Sequence, residues 1–525
     1  MKRTTMVWGA VILLLVLVII ILLLTRKSPT FITDAHEGAY PGELTLETCE
    51  YKTKAGSEYR TECGTLVVNE DHDDPNSRLV EIPIKVIHSH SESPLEPIFI
   101  FGGGPGASNM GHKPQDAWLA EHDVVLVGYR GADGNTVLQC PEIQKVFRSS
   151  RNPVNSNAFL DEMGTAAEKC QQNIREQGVD LSQYRLDTVV EDFELARQKL
   201  GYEKINLQAE SYGTRVTQIY AAMYPESIHR SVMIGVNPPG YFEWDQDVTQ
   251  QKLEDYNDLC AKTEACQTDN LAESMMNASQ NVPDRWFLFP IDMGAVRSIS
   301  FVFMFNRLQS PAIIDTYLRA ENGDYSGFAM MTLMYRLAMP NVFILGDLFA
   351  KGGSADCDAS RDYRSEFEYD GSTAIGNPIS RMIWGSMQDK WQCHLMSEDL
   401  RQTHPSSIET LLVNGTLDIS TPVQNGRSKL LPTLENGYLV ELENQGHVSD
   451  VYVVEREATN HLLTTFYRTG EVDDSQYVDA PWEYRMGMSY ATMMKLIAFI
   501  PPVMIVVLGW LFVNRIKGKK KRKNS

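Results

Sequence analysis

Ala209-Glu210-Ser211-Tyr212-Gly213 places a serine between two small residues. Lys204-Ile205-Asn206-Leu207-Gln208 before it reads as a short strand, and Thr214 to Tyr224 after it is periodic like a helix and stops at Pro225. A serine on such a strand-to-helix turn has its hydroxyl held out of the backbone, where it can attack an acyl carbon once a base removes its proton. The usual pattern has glycine on both sides, so Ala209 departs from it by one methyl group.

The base and its carboxylate are expected downstream. Thr410-Leu411-Leu412-Val413 reads as an apolar strand, and Asp418 lies on the loop just beyond it, closed by Thr421-Pro422. Tyr438-Leu439-Val440-Glu441-Leu442 reads as another strand, with His447 on the loop that follows. Ser211, Asp418 and His447 therefore leave the same edge of one sheet, where open α/β sheets keep their sites. An imidazole held by a carboxylate is the base that serine requires. His88 and His90, two apart on a strand pattern, have no carboxylate or cysteine cluster with them and are read as structural. No metal and no cofactor is predicted.

A fourth element supplies the electrophile's partner. Pro97 to Phe101 reads as a strand running into Gly102-Gly103-Gly104-Pro105-Gly106. Glycines in succession let backbone N–H groups approach a developing oxyanion, and losing one such donor typically costs about 3 kcal/mol of barrier. The amides of Tyr212 and Gly103 are assigned that role, with Gly104 as the substitute. A phosphate-cradling loop is excluded because no Gly-Lys-Ser/Thr follows and Gly-x-Gly-x-x-Gly is not matched.

Strand patterns at 65–68, 80–87, 98–101, 123–127, 204–208, 231–236, 409–413 and 437–442 position these residues, predicting a mostly parallel, eight-stranded α/β-hydrolase sheet. Ser211 and Asp418 are 207 residues apart, far more than one helix and one strand need. The surplus, 240–405, is read as an inserted, mainly helical cap. Its Phe301, Phe305, Met330, Met331 and Met334 are taken as the cap's own core.

With these motifs in view, the chain resembles the α/β-hydrolase serine peptidase family of prolyl aminopeptidases and bacterial tripeptidyl aminopeptidases. Gly102 to Gly106 stands where that family typically has His-Gly-Gly-Pro-Gly, with glycine in place of the histidine. Asp123 to Gly131 resembles its Asp-Gln-Arg-Gly strand end, with Gly128-Tyr129 replacing Asp-Gln. Asp192 to Gly201 and Glu210-Ser211-Tyr212-Gly213-Thr214 are closer to the tripeptidyl group. The similarity runs from about Cys49 to His461 and is faintest from Gly240 to His404, where a substrate would be selected.

Both ends are hydrophobic. Met6 to Leu24 is an apolar run flanked by Lys2, Arg3, Arg26 and Lys27, long enough to cross most of a hydrocarbon core of about 30 Å. It lacks an Ala-x-Ala-like site and reads as an uncleaved anchor rather than a removed signal peptide. A second run, Leu496 to Val513, precedes Arg515, Lys517, Lys519, Lys520, Lys521, Arg522 and Lys523. Clustered Lys/Arg stays cytoplasmic, so both termini are expected inside and the catalytic part on the periplasmic or extracellular side of a plasma (bacterial inner) membrane. The expected organisation is an anchor at 1–27, hydrolase core at 28–239 and 406–475 around the cap, a linker at 476–495, a transmembrane helix at 496–513 and a basic tail at 514–525.

Net charge is −20, and without the eleven basic residues beside the two apolar runs the intervening part carries about −31, which repels nucleic acid. All eight cysteines, Cys49, Cys63, Cys140, Cys170, Cys260, Cys266, Cys357 and Cys393, fall in that part, and an even count in an exported domain suggests disulfides. On the order of a hundred pairings are open to eight cysteines, and pairing neighbours in sequence is the simplest.

The expected function is a membrane-anchored serine exopeptidase acting on short peptides from a free N-terminus. An aminopeptidase needs a carboxylate for the substrate ammonium, and Glu243 and Asp245 at the start of the cap are the candidates. A carboxylesterase or lipase would share the triad without an amine anchor. A catalytically silent membrane-bound binding protein is disfavoured because no triad member is missing.

Overall fold

The computed structural model describes residues 31–53, 56–266 and 268–499. Nine strands form its main sheet: β1 (Leu44–Thr48), β2 (Thr61–Asn69), β3 (Leu79–Ile87), β4 (Leu95–Phe101), β5 (His122–Val127), β6 (Ile205–Glu210), β7 (Ile228–Ile234), β8 (Glu409–Gly415) and β9 (Gly437–Leu442). They lie in the order β1-β2-β3-β5-β4-β6-β7-β8-β9. The pairings from β5 through β9 are parallel, and those joining β1, β2, β3 and β5 are antiparallel. Eight strands were expected, and the ninth is β1. It adds to the sheet edge through Leu44 opposite Leu66, and its short, half-exposed Leu-Thr-Leu-Glu-Thr carries too weak an alternation to stand out.

Residues one apart on a strand point to opposite faces, and the two cores divide accordingly. Ile98, Ile100, Val124, Leu126, Val232, Ile234, Leu411 and Val413 pack with Leu462, Leu463 and Phe466 of the helix Arg456–Thr469. Phe99, Phe101, Val125, Val127, Leu207 and Ala209 face the other way, onto Val189 and Phe193 of the helix Leu186–Leu200 and Val216 of the helix Tyr212–Met223. Phe101 stacks on Phe193 with ring centroids 4.3 Å apart. Truncating a phenylalanine so enclosed typically costs about 3–5 kcal/mol.

Helices dominate the insertion between β7 and β8, from Gln246–Cys260 to Pro378–Met387. Phe301 and Met331 are buried inside it, and Met330 and Met334 are partly buried. The cap draws on more than this one insertion, however. Helices Pro141–Ser149 and Asn157–Glu176, between β5 and β6, also pack against the cap. Arg381 Nε donates to the Asn155 carbonyl at 2.9 Å, Asn155 Nδ2 donates to the Pro378 carbonyl at 2.8 Å, and Gln171 Nε2 donates to the Gln392 carbonyl at 3.1 Å. The sequence boundary at 240 missed this because the helices belong by chain order to the first half of the core.

Four disulfides join Cys49 to Cys63, Cys140 to Cys170, Cys260 to Cys266 and Cys357 to Cys393. The apolar run 6–24 lies outside the described residues, as does 500–513 of the second. Among the described residues no single helix is long and apolar enough to cross a membrane.

Candidate active site

Ser211 occupies the turn between β6 and the helix Tyr212–Met223 with φ +51° and ψ −119°. A non-glycine residue held there costs about 1–3 kcal/mol, which the surroundings must offset. The Ser211 N–H donates to the Ile234 carbonyl at 2.8 Å. Its own carbonyl accepts from the Thr214 amide at 2.9 Å and from Thr214 Oγ1 at 2.6 Å. Gly213 is dictated by approach, since a Cβ there would sit 1.9 Å from the Phe101 carbonyl oxygen at the end of β4.

His447 follows β9. Its Nδ1 is 2.7 Å from Asp418 Oδ2 and 3.2 Å from Thr421 Oγ1, and its amide donates to the Phe305 carbonyl at 2.6 Å. Asp418 is fully buried, with Oδ1 accepting from the amides of Ser420 and Thr421 at 2.8 and 2.9 Å. Thr421 Oγ1 donates to its Oδ2 at 2.8 Å. Both oxygens of this carboxylate are thus held by donors, which fixes its orientation toward His447. Phe305 packs edge-on against the His447 ring at 5.6 Å between centroids and against Phe301 at 5.1 Å, so this cap residue bridges the cap's interior and the His447 loop. The Ser211 hydroxyl and His447 Nε2 are not hydrogen-bonded to each other; such contacts often tighten only with substrate bound.

The glycine loop lies beside Ser211: a Cβ on Gly103 would be 3.4 Å from the serine Cβ and 4.0 Å from its Oγ. Among the described residues the amides of Gly103, Gly104 and Tyr212 donate to no protein acceptor. For Tyr212 that follows from its place at a helix start, where N–H groups lack intrahelical partners. Side chains from elsewhere fix the loop. Asn109 Oδ1 accepts from the Gly102 amide at 2.9 Å while its Nδ2 donates to the carbonyls of Ile100 and Val127. Tyr129 donates its hydroxyl to the Gly102 carbonyl at 3.0 Å, and the Gly106 amide donates to Asp347 Oδ2 at 3.0 Å. Asp347 belongs to the cap helix Leu345–Asp356 and pairs with Lys351 at 2.6 Å, both fully buried. Burial pushes the Asp347 carboxyl up in pKa while Lys351 opposes it.

These groups open onto a cavity of about 710 Å³ lined by Gly103, Gly104, Ser211 and His447, with apolar walls from Phe242, Trp244, Met339, Phe343, Ile379 and Met382. Helices ahead of the cap add Phe147 and Met163. Glu243 and Asp245 do not line it. Glu243 is held by Arg361, 118 residues away, and faces a separate pocket, while Asp245 caps the helix Gln246–Cys260 by accepting from the Asp247 amide. Sequence proximity to the cap boundary misled there, because the pairing of Glu243 is tertiary.

The acidic side chain in the cavity wall is instead Glu210, next to the serine, in company with His112 and Lys113. A chain of hydrogen bonds orients it. Tyr467 donates to Gln208 Oε1 at 2.5 Å, Gln208 Nε2 donates to the Tyr452 oxygen at 2.9 Å, and Tyr452 donates to Glu210 Oε1 at 2.8 Å. Burial, reinforced by the Glu210 charge, raises the Tyr452 phenol well above its ordinary pKa and keeps it a donor. Glu210 Oε2 has no partner among the described residues. Its place inside the serine motif was the signal that sequence reading passed over.

Behind His447, Asp450 Oδ2 accepts from the amides of Gly446 and Arg307 at 2.9 and 2.7 Å. Burial pushes its carboxyl up to about 6.

The family profile described as alpha/beta hydrolase fold matches residues 96–283, and one described as TAP-like protein matches 378–478. Tripeptidyl aminopeptidases of Streptomyces lividans and Streptomyces coelicolor are each 22% identical over 245 residues, covering 43% of this chain and 44% of theirs. The match thus spans less than half the length of those relatives. Similar solved structures include a serine hydrolase from Cycloclasticus zankles (TM-score 0.34, 12% identity, 82% of this chain and 100% of that one). An esterase from Exiguobacterium antarcticum gives a TM-score of 0.35 at 12% identity, covering 74% of this chain and 96% of its own. At scores this low nothing about activity follows from the structural likeness.

Proposed function

We propose that this chain, which matches the alpha/beta hydrolase fold and TAP-like family profiles and is similar to tripeptidyl aminopeptidases, is a serine exopeptidase cutting short peptides near a free N-terminus. Ser211 attacks the scissile carbonyl while His447 takes its proton, and Asp418 holds the imidazole with Nδ1 protonated and stabilises the imidazolium. The amides of Tyr212 and Gly103 receive the oxyanion. His447 then protonates the leaving amine, and water releases the acyl group by the same steps in reverse order.

One observation carries the peptidase reading: a cap-covered cavity holds the serine, the imidazole, the free amides and a pre-oriented carboxylate with an unpartnered oxygen. We assign the substrate ammonium to Glu210, in place of Glu243 and Asp245. A carboxylate adjacent to the nucleophile in the chain keeps the ammonium close to the scissile bond, which fits removal of few residues at a time. The apolar walls would take the substrate side chains.

The setting is proposed from the ends. The apolar runs at 6–24 and 496–513 with their flanking basic residues support anchoring with both termini cytoplasmic, and the four disulfides support an extracellular or periplasmic catalytic part.

Glu210→Gln tests the assignment. A charge-assisted hydrogen bond is worth about 1.5–3 kcal/mol, so kcat/KM on aminoacyl and tripeptidyl anilides with free amines should fall roughly 10- to 100-fold. Turnover of p-nitrophenyl esters should change little. Equal losses on free-amine, N-acetylated and ester substrates would remove Glu210 from amine recognition, and ester turnover indifferent to N-blocking in the wild type would favour an esterase.

A further inference from the structure

A two-stranded hairpin, Arg285–Trp286 paired with Phe289–Pro290, projects from the cap and turns at Phe287 and Leu288. Phe287 has φ +52°, and the two tip side chains are 62% and 71% exposed. Two large apolar side chains left this exposed at a turn usually mark a contact surface.

What lies beside them identifies the partner. The helix Tyr490–Phe499 is fastened to the cap on one face by buried Tyr490, Ala491, Met494 and Ala498. Lys495 Nζ adds an ion pair with Asp324 Oδ2 at 2.6 Å. Its other face presents Leu496, Ile497 and Phe499, 39%, 43% and 51% exposed. Phe499 meets the hairpin directly, with ring centroids 6.2 Å from Trp286 and 6.0 Å from Phe287. From Phe499 the chain continues as the apolar run to Val513 and then the basic tail. The exposed tip therefore sits where the chain would enter the hydrocarbon, and it carries tryptophan and arginine, residues suited to the headgroup level.

We propose that Phe287 and Leu288 insert into the outer surface of the bilayer beside the C-terminal span, as a second membrane contact of the cap. This rests on the anchored reading proposed above. Spans joined to the catalytic part only through single chain segments leave it free to swing, whereas a hairpin contact near the C-terminal span fixes which way the cap faces.

The full-length protein in phosphatidylcholine liposomes tests this. Because the eight native cysteines are paired, Leu288→Cys can carry a nitroxide, with Phe287→Cys as an independent second site and Asp74→Cys in a surface turn as the aqueous control. The proposal predicts that the labels at 287 and 288 collide more with dissolved oxygen than with a water-soluble nickel chelate, and the label at 74 the reverse. Nickel-dominated collisions at 287 and 288 overturn it, and so does low access to both relaxers, which would mean burial against protein. Alkaline carbonate extraction of the same liposomes separates the two readings. Protein kept in the pellet with water-exposed tip labels removes the hairpin contact alone; protein released to the supernatant removes the anchor and the contact together.

Discussion

Replacing Asp418 with asparagine tests the proposed triad through tautomer control. Oδ1 accepts two backbone amides, at 2.8 and 2.9 Å, and Oδ2 lies 2.7 Å from His447 Nδ1. An asparagine NH2 on the Oδ1 side would oppose two N–H donors in a fully buried site, and each unsatisfied donor there costs about 1–3 kcal/mol. The NH2 must therefore take the Oδ2 side and donate to Nδ1. Thr421 Oγ1 can rotate to accommodate it. With Nδ1 accepting, the imidazole proton sits on Nε2, which can no longer take the Ser211 proton. A loss of about 10⁴ in kcat is expected, roughly 5 kcal/mol of barrier, with KM little changed and the fold retained. The assay is p-nitrophenyl ester turnover at pH 7, with thermal unfolding as the fold control. A folded variant losing less than tenfold would refute the reasoning, because His447 would then not depend on Asp418 for its working tautomer.

Further outcomes follow from the same geometry. Gly213→Ala should abolish soluble folded protein, because its Cβ would meet the Phe101 carbonyl at 1.9 Å, whereas Ala209→Gly should cost no more than about 1 kcal/mol; expression and thermal midpoint decide both. Asp347→Ala strands a buried Lys351 and frees the Gly106 amide, so it should destabilise by about 3–5 kcal/mol in urea titration, and Asp347→Leu with Lys351→Met should recover most of that. Asp450 has a folded pKa of about 6 against about 3.8 unfolded, so its contribution is fully present below pH 4 and is lost as pH rises through 6. Asp450→Asn should remove a pH-dependent component on the order of 3 kcal/mol across that window, read as the difference between wild-type and variant unfolding free energies at pH 4 and pH 7. A difference that does not change with pH would mean that Asp450 does not titrate there.

The parts legible in the sequence were those set by neighbours along the chain. The turn at Ser211 announces itself through a strand, a small-residue pair and a helix in immediate succession, and Asp418 and His447 each follow an apolar strand that must end where the sheet ends. What escaped depends on contacts between distant segments. Nothing local to Asn109 says that its side chain will tie Gly102 to two strands, nor that Asp347, 241 residues from Gly106, will hold the glycine loop. Glu243 looked available only because Arg361 could not be seen beside it. β1 escaped for a different reason, being a five-residue edge strand with one weakly covered face. The covering from residues 141–176 was hidden by chain order, since those helices precede the serine that they help enclose.

Fluorophosphonate labelling of the full-length protein, with the adduct located by mass spectrometry, addresses the proposed nucleophile most directly. One phosphonyl group on Ser211, absent from Ser211→Ala and formed far more slowly in His447→Ala, is the predicted result. An active preparation that takes no label, or takes it on another serine while Ser211→Ala keeps its turnover, would contradict the account.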